Sequence, residues 1–179
     1  MDDGDWKDYS SATSVTLGGA DGLPDGEHTF RVRANDAAGN VDGSPAESDF
    51  TIDATKPPVT ATPSREPNLA GWHKANVSVT LEAGDCEGSD VASISYKIND
   101  AETATTGDGA TVSVEVTDEG TITYHATDGA GNDGDQQTFT VKLDKTDPVI
   151  SVTDPTEGAT YDFEQAVEAD YSCDEGQSG

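Results

Sequence analysis

The side chains best suited to chemistry in this sequence are carboxylates and carboxamides gathered in two short runs. Asp36, Asn40 and Asp42 form one, and Asp128, Asn132, Asp133 and Asp135 form the other. Closely spaced hard oxygen donors are what a calcium ion takes as ligands. Neither run has the spacing of an EF-hand loop, and neither has a glutamate at the twelfth position. A second reading therefore competes. In Asp36-Ala-Ala-Gly-Asn40 and Asp128-Gly-Ala-Gly-Asn132 the aspartate accepts backbone N–H groups across a tight turn. The glycine takes a positive φ, and the asparagine tolerates the left-handed region. The turn reading is preferred. Asp53, Asp144 and Asp147 are further candidate calcium ligands, placed where one segment passes into the next. Pro57, Pro58 and Pro148 already restrict those junctions, so semi-rigid spacing needs no ion there.

No catalytic constellation accompanies these carboxylates. His28, His73 and His125 lie in separate contexts, and the sequence contains no His-Glu-x-x-His, Gly-x-Ser-x-Gly or phosphate-loop motif. His28 and His125 are expected on the outward, solvated face of a strand. No carboxylate sits alone in an apolar run that would raise its pKa for acid-base work. The expectation is a protein without enzymatic activity and with no certain cofactor, calcium being the one candidate. Trp72 and His73 near Tyr96, or Trp6 near Tyr9, could form a sugar-stacking platform. Aromatic residues make up only 6% of the chain with no line of three at alternate strand positions, so packing is the preferred role. Asn76-Val-Ser78 is an N-glycosylation acceptor sequence.

Composition narrows the partners. With 36 acidic and 9 basic residues among 179, the formal charge is −27. Such a surface repels phosphate backbones and anionic headgroups, so neither nucleic acid nor direct membrane contact is expected. A solvated acidic face, in high salt or simply for solubility, is favoured over dedicated ion binding. No run approaches the ~20 apolar residues of a membrane span, and Met1 is followed by Asp-Asp-Gly-Asp rather than an export signal. Cys86 and Cys173 lack metal-site or disulfide-framework spacing and read as two unpaired thiols.

The elements that must position these residues are strands. Glu27 to Asn40 and Glu119 to Asn132 spell one strand and turn twice, 92 residues apart, and Ile52-Asp-Ala-Thr-Lys-Pro57 recurs as Leu143-Asp-Lys-Thr-Asp-Pro148 at 91. A period near 90 suits a small β-sandwich repeated in tandem. Alternation predicts strands at Ser14 to Leu17, Phe30 to Ala34 and Phe50 to Ile52. It predicts six or seven more in the central unit: Val59 to Thr62, Val77 to Leu81, Ile94 to Ile98, Val112 to Val116, Ile122 to Ala126 and Phe139 to Leu143. Val149 to Thr153 and Val167 to Tyr171 open a third unit. No segment has helical periodicity. The predicted fold is all-β: residues 1–53 are the later part of one sandwich, 54–146 a complete one, and 147–179 the first part of a third.

The motifs Asp25-Gly-Glu-His-Thr-Phe30 with Asp36-Ala-Ala-Gly-Asn40, Gly71-Trp-His73 with Val77, Val79 and Leu81 running to Asp128-Gly-Ala-Gly-Asn132, and the Asp-x-Thr-x-Pro linkers resemble the tandem bacterial and archaeal immunoglobulin-like (Big-type, fibronectin III-like) domains of secreted and surface proteins. The resemblance covers nearly the whole chain. It implies a segment of a longer exported protein, extracellular or at the cell surface, with neighbouring immunoglobulin-like units as partners and a protein or glycan receptor as a candidate ligand. It implies a spacer, stalk or adhesive role. Two alternatives stand beside it: an accessory spacer or carbohydrate-binding module of a secreted polysaccharide-degrading enzyme, and a calcium-stiffened adhesin repeat.

Overall fold

The computed structural model describes residues 6–8, 13–17, 22–84, 88–101 and 105–174. Twelve strands and no helix occur among them, so the fold is all-β. Two strands come first, β1 (Gly26–Val32) and β2 (Ala46–Ile52), joined as an antiparallel hairpin. Eight follow: β3 (Val59–Pro63), β4 (Trp72–His73), β5 (Val77–Ala83), β6 (Val91–Ile98), β7 (Thr105–Asp108), β8 (Thr111–Val116), β9 (Gly120–Asp128) and β10 (Gln137–Leu143). A last hairpin pairs β11 (Val149–Asp154) with β12 (Asp170–Asp174).

The middle eight strands form two sheets, one ordered β4-β10-β9-β6-β7 and the other β3-β5-β8. Their apolar faces meet, with β3 over β9, β5 over β6 and β8 beside β7. The alternation that marks each strand decides which side chains enter the core. Val77, Val79 and Leu81 of β5 and Val114 and Val116 of β8 face Ile94, Ile122, Tyr124, Ala126, Val141 and Leu143 from the larger sheet, all buried. The intervening positions carry Ser and Thr hydroxyls that pair across strands, Ser78 with Ser113 and Thr121 with Thr140.

The first hairpin repeats the register of β9 and β10. Phe30 faces Ser48 and His28 faces Phe50, as Ile122 faces Phe139 and Gly120 faces Val141. The last hairpin repeats that of β3 and β5: Ile150 faces Cys173 and Val152 faces Tyr171, as Val59 faces Ala83 and Ala61 faces Leu81. In the central unit those positions are buried or half-buried, whereas Ile150, Val152 and Tyr171 are 66%, 63% and 68% exposed.

Several local expectations need correction. Ser14 to Leu17 form no strand, and among the described residues no strand pairs with them. The strand expected over Val167 to Tyr171 instead spans Asp170–Asp174, the stretch that pairs with β11 from Asp154 back to Val149. The central unit has two more strands than its apolar alternation reveals. β4 is two residues long and pairs parallel with β10, and β7 reads Thr-Thr-Gly-Asp, with no apolar residue.

Candidate functional site

The two Asp-to-Asn turns close in the same way. Asp36 Oδ1 accepts the N–H groups of Ala38 (2.9 Å) and Asn40 (2.8 Å), and Asn40 Nδ2 donates to Asp36 Oδ2 at 2.7 Å. Asp128 Oδ1 accepts Gly131 N–H and Asn132 N–H, both at 2.8 Å, and Asn132 Nδ2 donates to its Oδ2 at 2.9 Å. Gly39 and Gly131 sit at φ +88° and +94°, where a Cβ would be strained. Asn40 and Asn132 are not among the positive-φ residues, so their expected left-handed role is corrected: the carboxamide is there to donate. These bonds hold both carboxylates below the ordinary range. For Asp36 the Asn40 side chain acts most strongly. Burial of Asp128, only 4% exposed, works the other way, but donation from Asn132, Gly131 and Ala130 outweighs it.

The other candidate ligands are dispersed. Asp42 accepts Ser44 N–H at 2.9 Å, and Asp133 accepts the Thr127 hydroxyl at 2.7 Å. Asp135 pairs with Lys56 Nζ at 2.9 Å, which lowers the Asp135 pKa and raises that of Lys56. Asp144 is buried and accepts Thr146 N–H at 2.8 Å, and Asp147 is exposed beyond it. Among the described residues, no three His, Cys, Asp or Glu side chains are gathered where they could hold a metal ion.

Asp53 is the exception to this dispersal, because it draws distant parts of the chain together. Its Oδ1 accepts Thr55 N–H at 3.0 Å, and its Oδ2 accepts both Ser89 N–H (2.9 Å) and the Ser89 hydroxyl. The hydroxyl is the main reason its pKa falls, with Thr55 N–H next and the nearby Asp128 opposing. Asn132 Nδ2 also donates to Asp53 O at 3.0 Å, so the second Asp-to-Asn turn touches the same residue. The Ser89 hydroxyl is in turn approached by Ala130 N–H at 3.2 Å. On the near side, Asp25 accepts Ala54 N–H (2.9 Å) and the Thr55 hydroxyl.

The histidines do not converge. His28, expected on the solvated face, is 6% exposed; its Nε2–H donates to Pro24 O at 2.8 Å and its ring lies 5.6 Å from Phe50. The reason is parity: positions 28, 30 and 32 share a face, so His28 belongs with Phe30. His125 is half-buried on the opposite side of β9 from Tyr124. His73 is buried, and its Nδ1 has no hydrogen-bond partner. Trp72 has the Lys142 ammonium 5.7 Å from its ring centroid, and Trp6 has the Arg33 guanidinium at 4.0 Å, so a cation occupies a face of each indole. Tyr96 packs against the core. Cys173 is a free, exposed thiol; Cys86 and Tyr9 fall outside the described residues.

Sequence reasoning missed Asp25, Lys56, Gly88, Ser89 and Gly134. Ser89 lies 36 residues from its acceptor in a Gly/Ser/Asp loop of ordinary composition, with no local signal to single it out. No known family model matches this sequence, and no curated protein is significantly similar to it.

Proposed function

We propose that this chain is a run of consecutive immunoglobulin-like β-sandwich units from a larger extracellular or surface protein, serving as a spacer, stalk or adhesive segment without catalysis. The observation that carries the reading is the recurrence of strand register: one terminal hairpin matches β9–β10 and the other matches β3–β5, each 90 to 92 residues from its counterpart. Units that repeat along a chain bury their cores separately and place successive surfaces at a fixed spacing, which is a mechanical rather than a chemical product. The hydroxyl-covered outer faces and the net charge of −27 suit a surface that stays hydrated along its length. Small-angle X-ray scattering tests the reading. An elongated particle is expected, with a radius of gyration well above the roughly 16 Å of a compact chain of this length. A compact particle would overturn it.

A further inference from the structure

We infer that the central sandwich carries a docking groove for the strap Asp53 to Pro58, and that filling this groove fixes the first hairpin to the sandwich as a stiff joint. The inference deepens the spacer reading and rests on it. The groove reads the strap at successive points. Ser89 presents two donors to one oxygen of Asp53, Asn132 holds the Asp53 carbonyl, Asp135 pairs with Lys56, and Gly84 N–H donates to Pro58 O at 2.8 Å. Pro57 is buried.

The groove is also shaped for close approach. A Cβ on Gly88 would lie 2.6 Å from the Asp53 carboxyl carbon, and Gly88 has φ +140°. A Cβ on Gly134 would overlap the Pro57 carbonyl oxygen, a backbone atom that cannot swing aside. The strap is stiff in itself, since Pro57 and Pro58 fix their own φ and confine the residues before them to extended conformations.

Asp25, immediately before β1, grips the same strap from the other side through Ala54 and Thr55. A rotation of the hairpin against the sandwich therefore breaks contacts on one side or the other. The ligand of the groove is a proline-containing peptide that leads with a carboxylate for the paired serine donors and carries a cation three residues on for Asp135. An asparagine at position 53 would turn an N–H group toward donors or surrender one acceptor. The sequence Asp144-x-Thr146-x-Pro148 keeps the leading turn, with Thr146 N–H on Asp144. It places Asp147 where Lys56 stands, so a groove for that second strap cannot use the ion pair with an aspartate.

The test is a spin-label distance distribution in the full chain, with both cysteines changed to serine and labels at T51C in β2 and E115C in β8, two exposed positions. A single narrow peak is expected for this parent. D53A and S89A should broaden it about twofold, as a released flexible linker does, while the melting temperature of the central unit stays within a few degrees. G134A, which wedges the strap outward, should broaden it as well. A broad parent distribution would overturn the inference, and so would variants that all leave it narrow. Either result leaves the scattering test intact, since a flexibly jointed array remains elongated and a stiff pair of units can still be compact.

Discussion

Asp36 and Asp128 close matching turns, each accepting the N–H and the carboxamide of the asparagine four residues on, yet one is exposed and the other is 4% exposed. Losing the acceptor at Asp128 strands donors away from water, so Asp128→Ala should lower the thermal midpoint by several degrees and Asp36→Ala by much less, as read by circular dichroism. The carboxyls of Asp36, Asp53, Asp128 and Asp135 are all held below the value of 3.8 from which they start. A depressed folded pKa means stability that is full above the unfolded value and lost as pH falls through the folded values. Loss is therefore expected below about pH 4. His73 is the opposite kind of residue. Its buried, unpartnered Nδ1 costs about 1 kcal/mol or more, so His73→Leu should raise stability to denaturant by an amount of that order. At this scale the sequence showed the turns, because Asp, Gly and Asn at fixed offsets have local reasons to be there. It also held the burial of His28, whose parity with Phe30 is plain once the residues are counted.

The strands differ in what covers them. Leu81 in β5 is fully buried between two sheets, and Leu81→Ala should cost about 2–5 kcal/mol in chemical unfolding. β11 and β12 have the pairing of β3 and β5 but, among the described residues, neither a third strand nor an opposing sheet. A lone two-stranded ribbon is marginal in water. Amide hydrogens of β11 and β12 should exchange orders of magnitude faster than those of β5 and β9, and equal protection would show that another surface covers this hairpin. Strands with alternating apolar residues were legible in advance. β7 was not, because an edge strand of Thr, Thr, Gly and Asp carries no pattern and exists only because β6 offers it a ladder. The strap contacts were hidden for a related reason: Asp53 and Ser89 meet through tertiary folding, and nothing near either residue announces the other.

Across the whole molecule the dominant physical fact is charge. Few basic residues are available to neutralise 36 acidic ones, and the ion pairs among the described residues, Arg31 with Glu47 and Lys56 with Asp135, lie on the surface. Such pairs contribute about 0–1 kcal/mol each, so self-repulsion is set against folding over the entire surface. Screening that repulsion should stabilise the fold: at pH 7 the melting temperature should climb as sodium chloride is raised from low ionic strength to about 1 M, where the Debye length is near 3 Å. The exposed apolar face of β11 and β12 carries a practical consequence. Fluorophores that brighten on contact with hydrocarbon have Ile150, Val152 and Tyr171 to bind before any heating begins. The 179-residue chain should therefore glow with such a dye at room temperature, and warming should dim that signal as the ribbon frays, ahead of the brightening that reports melting of the sandwich.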